Sequence, residues 1–292
     1  MKRHVYQLVG LAAAWVLSAF AATDNTYEEQ IRDWHQKRVE SLKAESGWLN
    51  LAGLFWLKEG KNTFGSAAEN DILFPEGKSN AFLGEFVLQN DKITLRAKPG
   101  AQIFNGDQPV TKLDIFPDGK PVTLKHGPLR WFVIKRGEKY AIRLRDLESE
   151  YLKDFTGIER YPVQEKWRVK ARFVPTQGRT VSITDITGRI DNQVSPGKLV
   201  FNVDGKEYSL DAVGKPENLF IIFADQTNKH ETYGSGRFLY SSVEADGTAW
   251  LDFNKAINPP CAFSPYATCP LPPKQNKLTL AVSAGEKRYG DH

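Results

Sequence analysis

Apolar residues recur along this chain at two spacings. Between Thr26 and Ser46, the residues Tyr27, Ile31, Trp34, Val39 and Leu42 follow one another at near-helical intervals. That spacing places them on one face of an amphipathic helix. Thr26 and Glu29 have the separation of a capping box, and Gly47 is a natural stop. The pattern predicts an N-terminal helix across 23–46 whose apolar face packs on the body of the protein.

Beyond Gly47 the period drops to two, the signature of half-buried strands. GEFVLQNDKITLRA reads as two strands around Asn90-Asp91, and AQIFNGDQPVT holds a hairpin turn at Asn105-Gly106. LRWFVIKRGEKYAIRLRD is two alternating strands about Gly137-Glu138, and KLVFNVDGKEYSLDAV is a hairpin about Asp204-Gly205. Asp-Gly and Asn-Gly suit such turns because both central residues must take positive φ. NLFIIFAD reads as a buried strand, RFLYSSVEADGTAWLDFN as a hairpin about Asp246-Gly247, and LTLAVSAGEK as a final strand. Short strands with frequent turns predict a mainly β protein, built as two packed β-sandwich or β-barrel-like parts with one N-terminal α-helix. The composition changes between Tyr151 and Pro162. The expected parts are therefore 47–150 and 151–292.

The first residues change the picture of compartment. Lys2 and Arg3 precede a mostly apolar run from Val5 to Ala19, and Ala19-Phe20-Ala21 is a small-x-small cleavage pattern. This is the layout of a secretory signal peptide, expected over 1–22. An exported protein, periplasmic or secreted, follows, with no stable membrane insertion after cleavage. Hydrophobic residues make up 41% of the 292-residue chain and charged residues 25%, an ordinary globular balance. Lys and Arg number 39 against 35 Asp and Glu, which gives no electrostatic case for a nucleic-acid partner. The oligomeric state is left open.

Candidate chemistry concentrates between Asp225 and Pro273. Asn258 to Pro273 reads NPPCAFSPYATCPLPP and holds both cysteines and six of the sixteen prolines. Prolines at this density cannot sit in a central strand, so 258–273 is expected to form a rigid extended strap. In an oxidising compartment Cys261 and Cys269 would bridge. Buried free thiols, a metal clip or a nucleophile are the other readings, although the spacing fits no zinc pattern. Neither a metal site nor a cofactor is expected. In Glu231-Thr-Tyr-Gly-Ser-Gly-Arg237, Gly234 and Gly236 allow unusual backbone angles, and Arg237 offers a fork for a carboxylate or phosphate. Asp225, Glu231 and Tyr233 are the neighbouring acid–base candidates. The same residues also read as a glycine turn braced by an internal Arg–Asp or Arg–Glu pair. Asp252 and Asn254 share a strand face leading into the strap and, with Tyr266, complete the polar cluster, or else they cap loops.

Three stretches together, Gly47–Ser66, Asp225–Tyr240 and Leu251–Lys287, resemble the bacterial and archaeal family known as domain of unknown function 1684. The likeness implies no known activity, cofactor or catalytic residue. This chain departs from the family pattern at Asn228-Lys229-His230, where a shorter glycine-bearing turn is expected, so His230 is a poor candidate for an essential group. No G-x-S-x-G elbow, H-E-x-x-H or Walker loop is present. The functional expectation is a binding protein for a small polar or anionic ligand, held in a cleft near Arg237 and the strap. A hydrolase with Glu231 or Asp225 as general base and Arg237 as electrostatic stabiliser is the first alternative, and a structural envelope protein the second.

Overall fold

The computed structural model describes residues 26–290, and the expected signal peptide lies outside the described residues. The N-terminal helix runs Tyr27–Lys43 with Thr26 as its N-cap, and both halves of the capping box are made. Ile31 and Leu42 are fully buried. The helix stops three residues before the expected end because Ala44 leaves the helical region. None of the described helices is long and apolar enough to cross a membrane.

The chain is mainly β. Its N-terminal half forms a sandwich of two sheets. The first sheet orders the strands Ile72–Leu73, Gly60–Gly65, Gly84–Gln89, Lys92–Ala97 and Lys112–Asp114. The second orders Leu51–Trp56, Lys139–Asp146, Leu129–Arg136, Leu124–His126, Phe104–Asn105 and Gln108–Pro109. A single apolar core containing Phe64, Phe86, Trp131, Ile142 and Leu144 lies between the sheets. The Asn90-Asp91 turn has both residues at positive φ, 51° and 60°, as a two-residue hairpin of this twist requires.

The C-terminal half is built on an antiparallel sheet that orders Arg237–Ser241, Asn218–Phe223, Lys206–Lys215, Gly197–Val203, Arg168–Pro175 and Thr248–Asp252. Its edges meet: Val243 bridges Ala249, and the Ser241 hydroxyl donates to the Trp250 carbonyl at 2.8 Å. The sheet therefore curls toward a barrel, and Trp167, Phe201, Phe223, Leu239 and Phe253 fill its interior. A separate hairpin, Thr180–Thr184 with Ile190–Val194, stands off this sheet.

The turn at Asp246-Gly247 forms as expected, with Val243 bridging Ala249 and the Glu244 amide donating to the Thr248 carbonyl at 2.7 Å, and Thr248–Asp252 also ladders on Arg168–Pro175. One expectation fails. LTLAVSAGEK is not a strand. It runs irregularly along the barrel with Val282 and Ala284 buried, and the carbonyls of those two residues accept from the Arg237 side chain.

A third apolar cluster joins the elements. Leu42 of the helix, Leu49 and Leu51 of the sandwich, and Ile222 and Phe238 of the barrel meet Cys261, Phe263 and Cys269 of the strap. The strap thus lies where helix, sandwich and barrel converge.

Candidate functional site

The residues singled out from the sequence divide into internal braces and surface groups. Arg237 is fully buried. Its guanidinium pairs with Asp225 at 2.7 Å, donates to the carbonyls of Val282 and Ala284, and lies over the Phe223 ring. Asp225 is equally committed. One oxygen takes the Thr227 amide at 2.9 Å, the Thr227 hydroxyl at 2.6 Å and the Val282 amide at 3.2 Å. The other takes Arg237. A carboxylate with four donors and a fully buried side chain is held as an internal brace, out of reach of a substrate proton. Gly236 sits at φ 92°. A Cβ there would meet the Phe223 carbonyl oxygen at 2.6 Å and also Pro272 of the strap, so this glycine serves close packing rather than a convergent set of amides.

Glu231 is exposed and accepts the Tyr161 hydroxyl at 2.9 Å. Burial, then Glu231, pushes the Tyr161 phenol up to about 12. Tyr233 is buried in the junction cluster, and burial raises its phenol. Asp252 and Asn254 do come together, but around the helix: Asp252 accepts the Tyr27 hydroxyl at 2.7 Å, and Asn254 donates to the same oxygen at 2.9 Å. Burial, with Asp252 next, raises the Tyr27 phenol. A groove does lie beside Asp225 and the strap, between Asn228, Ser235, Leu271 and Pro272, but Arg237 is behind its wall rather than in it.

Cys261 and Cys269 form the bridge, with their Cα atoms 6.1 Å apart. Among the described residues no three His, Cys, Asp or Glu side chains gather into a metal-binding group.

Another site emerges at the junction. The strand Lys139–Asp146 alternates: Tyr140, Ile142 and Leu144 enter the sandwich core, so Arg143 and Arg145 project outward. The strap covers this outward face. Arg143 is only 5% exposed and donates one bond, at 3.0 Å, to the Tyr266 carbonyl. It has no carboxylate partner among the described residues. Burial, then the nearby Arg136 and Arg145, holds its guanidinium down at about 10. Buried cations are ordinarily paired, so this one stands out.

Arg143 faces a cleft of about 280 Å³ between the sandwich, the barrel and the strap. Arg136 and Arg38 share its lining with Trp48, Phe220, Phe238 and Ile257, and no acidic side chain lines it. Arg38 is already neutralised, by Glu286 at 3.1 Å, and donates to the Asn258 carbonyl at 3.2 Å. Asn258 is fully buried with its side-chain oxygen unpartnered. Cys269 and Thr268 bring the disulfide loop to the wall. The cleft therefore presents net positive charge beside an aromatic surface. Arg143 was not among the residues singled out from the sequence, yet the alternation in KYAIRLRD already set it opposite the core. What the sequence lacked was the strap 123 residues away that turns this face into an interior.

No curated protein matches the chain. A solved structure that it resembles in sequence is the solution NMR structure of an uncharacterized protein from gene locus rrnAC0354 of Haloarcula marismortui. The two are 30% identical over 48% of this chain and 80% of that one, with a TM-score of 0.41. A family model described as protein of unknown function (DUF1684) matches residues 153–287. That span takes in the barrel and the strap, and leaves Gly47–Ser66 outside. On that match, the chain belongs to the DUF1684 family.

Proposed function

We propose that the protein binds a small anionic molecule in the junction cleft, with Arg143 as the principal cation and the disulfide-closed strap as one wall. The observation that carries the proposal is Arg143 itself, a nearly buried guanidinium without a carboxylate, on a cleft whose lining holds no acid. Its fork matches a carboxylate or phosphate oxygen pair, and low dielectric around it strengthens the attraction. Arg136 stands exposed at the rim and adds field along the entry path. The leader-like run from Val5 to Ala19 and the Cys261–Cys269 bridge support an exported setting for this binding.

The test is a thermal-shift panel of carboxylates and inorganic phosphate at constant ionic strength, run on the full chain and on Arg143→Met. At least one anion is expected to raise the melting temperature of the parent protein and to leave the variant unmoved. Equal shifts in both proteins, or none in either, overturn the proposal.

A further inference from the structure

The lining of the junction cleft also points to the kind of anion it takes, an inference that rests on the binding reading above. The charge supply is small and one-sided. Arg38 is spent on Glu286, which leaves Arg143 within the cleft and Arg136 at its rim. No lysine lines it. Much of the remaining lining is apolar and aromatic. Phe220 packs edge-on to Phe238 with centroids 4.9 Å apart, and stacks on Tyr240 at 5.1 Å. Trp48, Ile257 and Ala267 extend that surface.

A phosphate or other compact polyanion would use the cation and leave this wall against water. A sugar would find Asn258 and Thr268 but would leave the apolar faces of Phe220, Phe238 and Ile257 uncovered. A flat or chain-like apolar body bearing one terminal carboxylate uses both: two carboxylate oxygens meet the fork of Arg143, while the apolar body covers Phe220, Phe238 and Trp48. A volume of about 280 Å³ is near the lower end for ligand sites, roughly 300 Å³, so the body is small. We infer that the cleft recognises an apolar monocarboxylate, an aryl-alkanoic or medium-chain alkanoic acid.

Isothermal titration of the full chain with four probes tests this: octanoate, acetate, inorganic phosphate and 1-octanol. Octanoate is expected to bind about 30-fold or more tightly than acetate, because each methylene covered by the wall adds to affinity. It should also bind at least about 10-fold more tightly than octanol, which lacks the charge. Phe220→Ala should cut octanoate affinity about tenfold and leave acetate unchanged. The comparison among probes on the parent protein stands even if that variant folds poorly. Phosphate or acetate binding as tightly as octanoate, with loss in Arg143→Met, overturns the apolar-body inference and leaves anion binding intact. Octanol matching octanoate, or no binding by any probe, overturns both.

Discussion

Replacing Arg143 by methionine should make the ligand-free protein slightly more stable while abolishing anion binding. The drop of its guanidinium from the ordinary arginine range to about 10 has burial as its first cause and two neighbouring arginines after it. At about 1.4 kcal/mol per decade, the fold penalises this charge by on the order of 3 kcal/mol. Against that stands the one hydrogen bond to the Tyr266 carbonyl, worth roughly 1.5–3 kcal/mol for a charged donor. Methionine keeps most of the aliphatic volume and adapts to irregular space. The net is a gain of about 1 kcal/mol, which for a chain of this size raises the melting temperature by roughly 2–4 °C. Calorimetry at neutral pH reads it directly. The pH dependence has a definite sign. A base whose folded pKa is depressed destabilises the fold below that pKa, and the penalty is relieved as pH rises through about 10. The variant's advantage should therefore shrink above pH 10. A melting temperature lowered by more than about 5 °C would refute the reasoning, since Arg143 would then be an internal brace like Arg237 rather than a cation kept unpaired for a ligand.

Arg237→Met should behave in the opposite way, because it leaves Asp225 buried and unpaired. Urea denaturation should show a loss of about 3–5 kcal/mol, and a loss under about 1 kcal/mol would contradict the brace. Serine at both Cys261 and Cys269 should cost about 2.5 kcal/mol by releasing the short strap loop; denaturation curves that coincide with the parent's would show that the bridge constrains nothing. Tyr27→Phe should loosen the N-terminal helix, since it removes the hydroxyl shared by Asp252 and Asn254. In the parent the raised phenol binds its proton more tightly folded than unfolded, so helix docking should weaken above about pH 10. Hydrogen exchange across Tyr27–Lys43 at neutral and alkaline pH would expose the error if parent and variant protect the helix equally.

Local chemistry was legible in the sequence wherever a few adjacent residues decide the outcome. The Thr26–Glu29 capping box and the Asp204-Gly205 and Gly137-Glu138 turns form because backbone angles and near hydrogen bonds settle them. Pairing over longer distances was not legible. Thr248–Asp252 alternates as a hairpin strand should, but nothing near it in the chain shows that its other edge ladders on Arg168–Pro175. Arg237 and Asp225 were visible as neighbours twelve residues apart. Whether they face a ligand or the interior depends on carbonyls at 282 and 284. Arg143 sat on an evident outward face, but nothing near it in the chain announced the strap that buries it.

Those late acceptors have a consequence for synthesis. Arg38, Arg237 and Asp225 are laid down early or midway along the chain, yet their partners at Val282, Ala284 and Glu286 are among its last described residues. A ribosome releasing the chain from its N-terminus can complete the sandwich, whose core ends at Leu144, long before those partners exist. Until that segment is made, Arg38 lacks its carboxylate, and the Arg237–Asp225 pair lacks the two carbonyls and the amide that complete it. Chains truncated before residue 282 should therefore hold a finished sandwich and an open barrel, which makes the segment Val282–Glu286 the latch of the barrel.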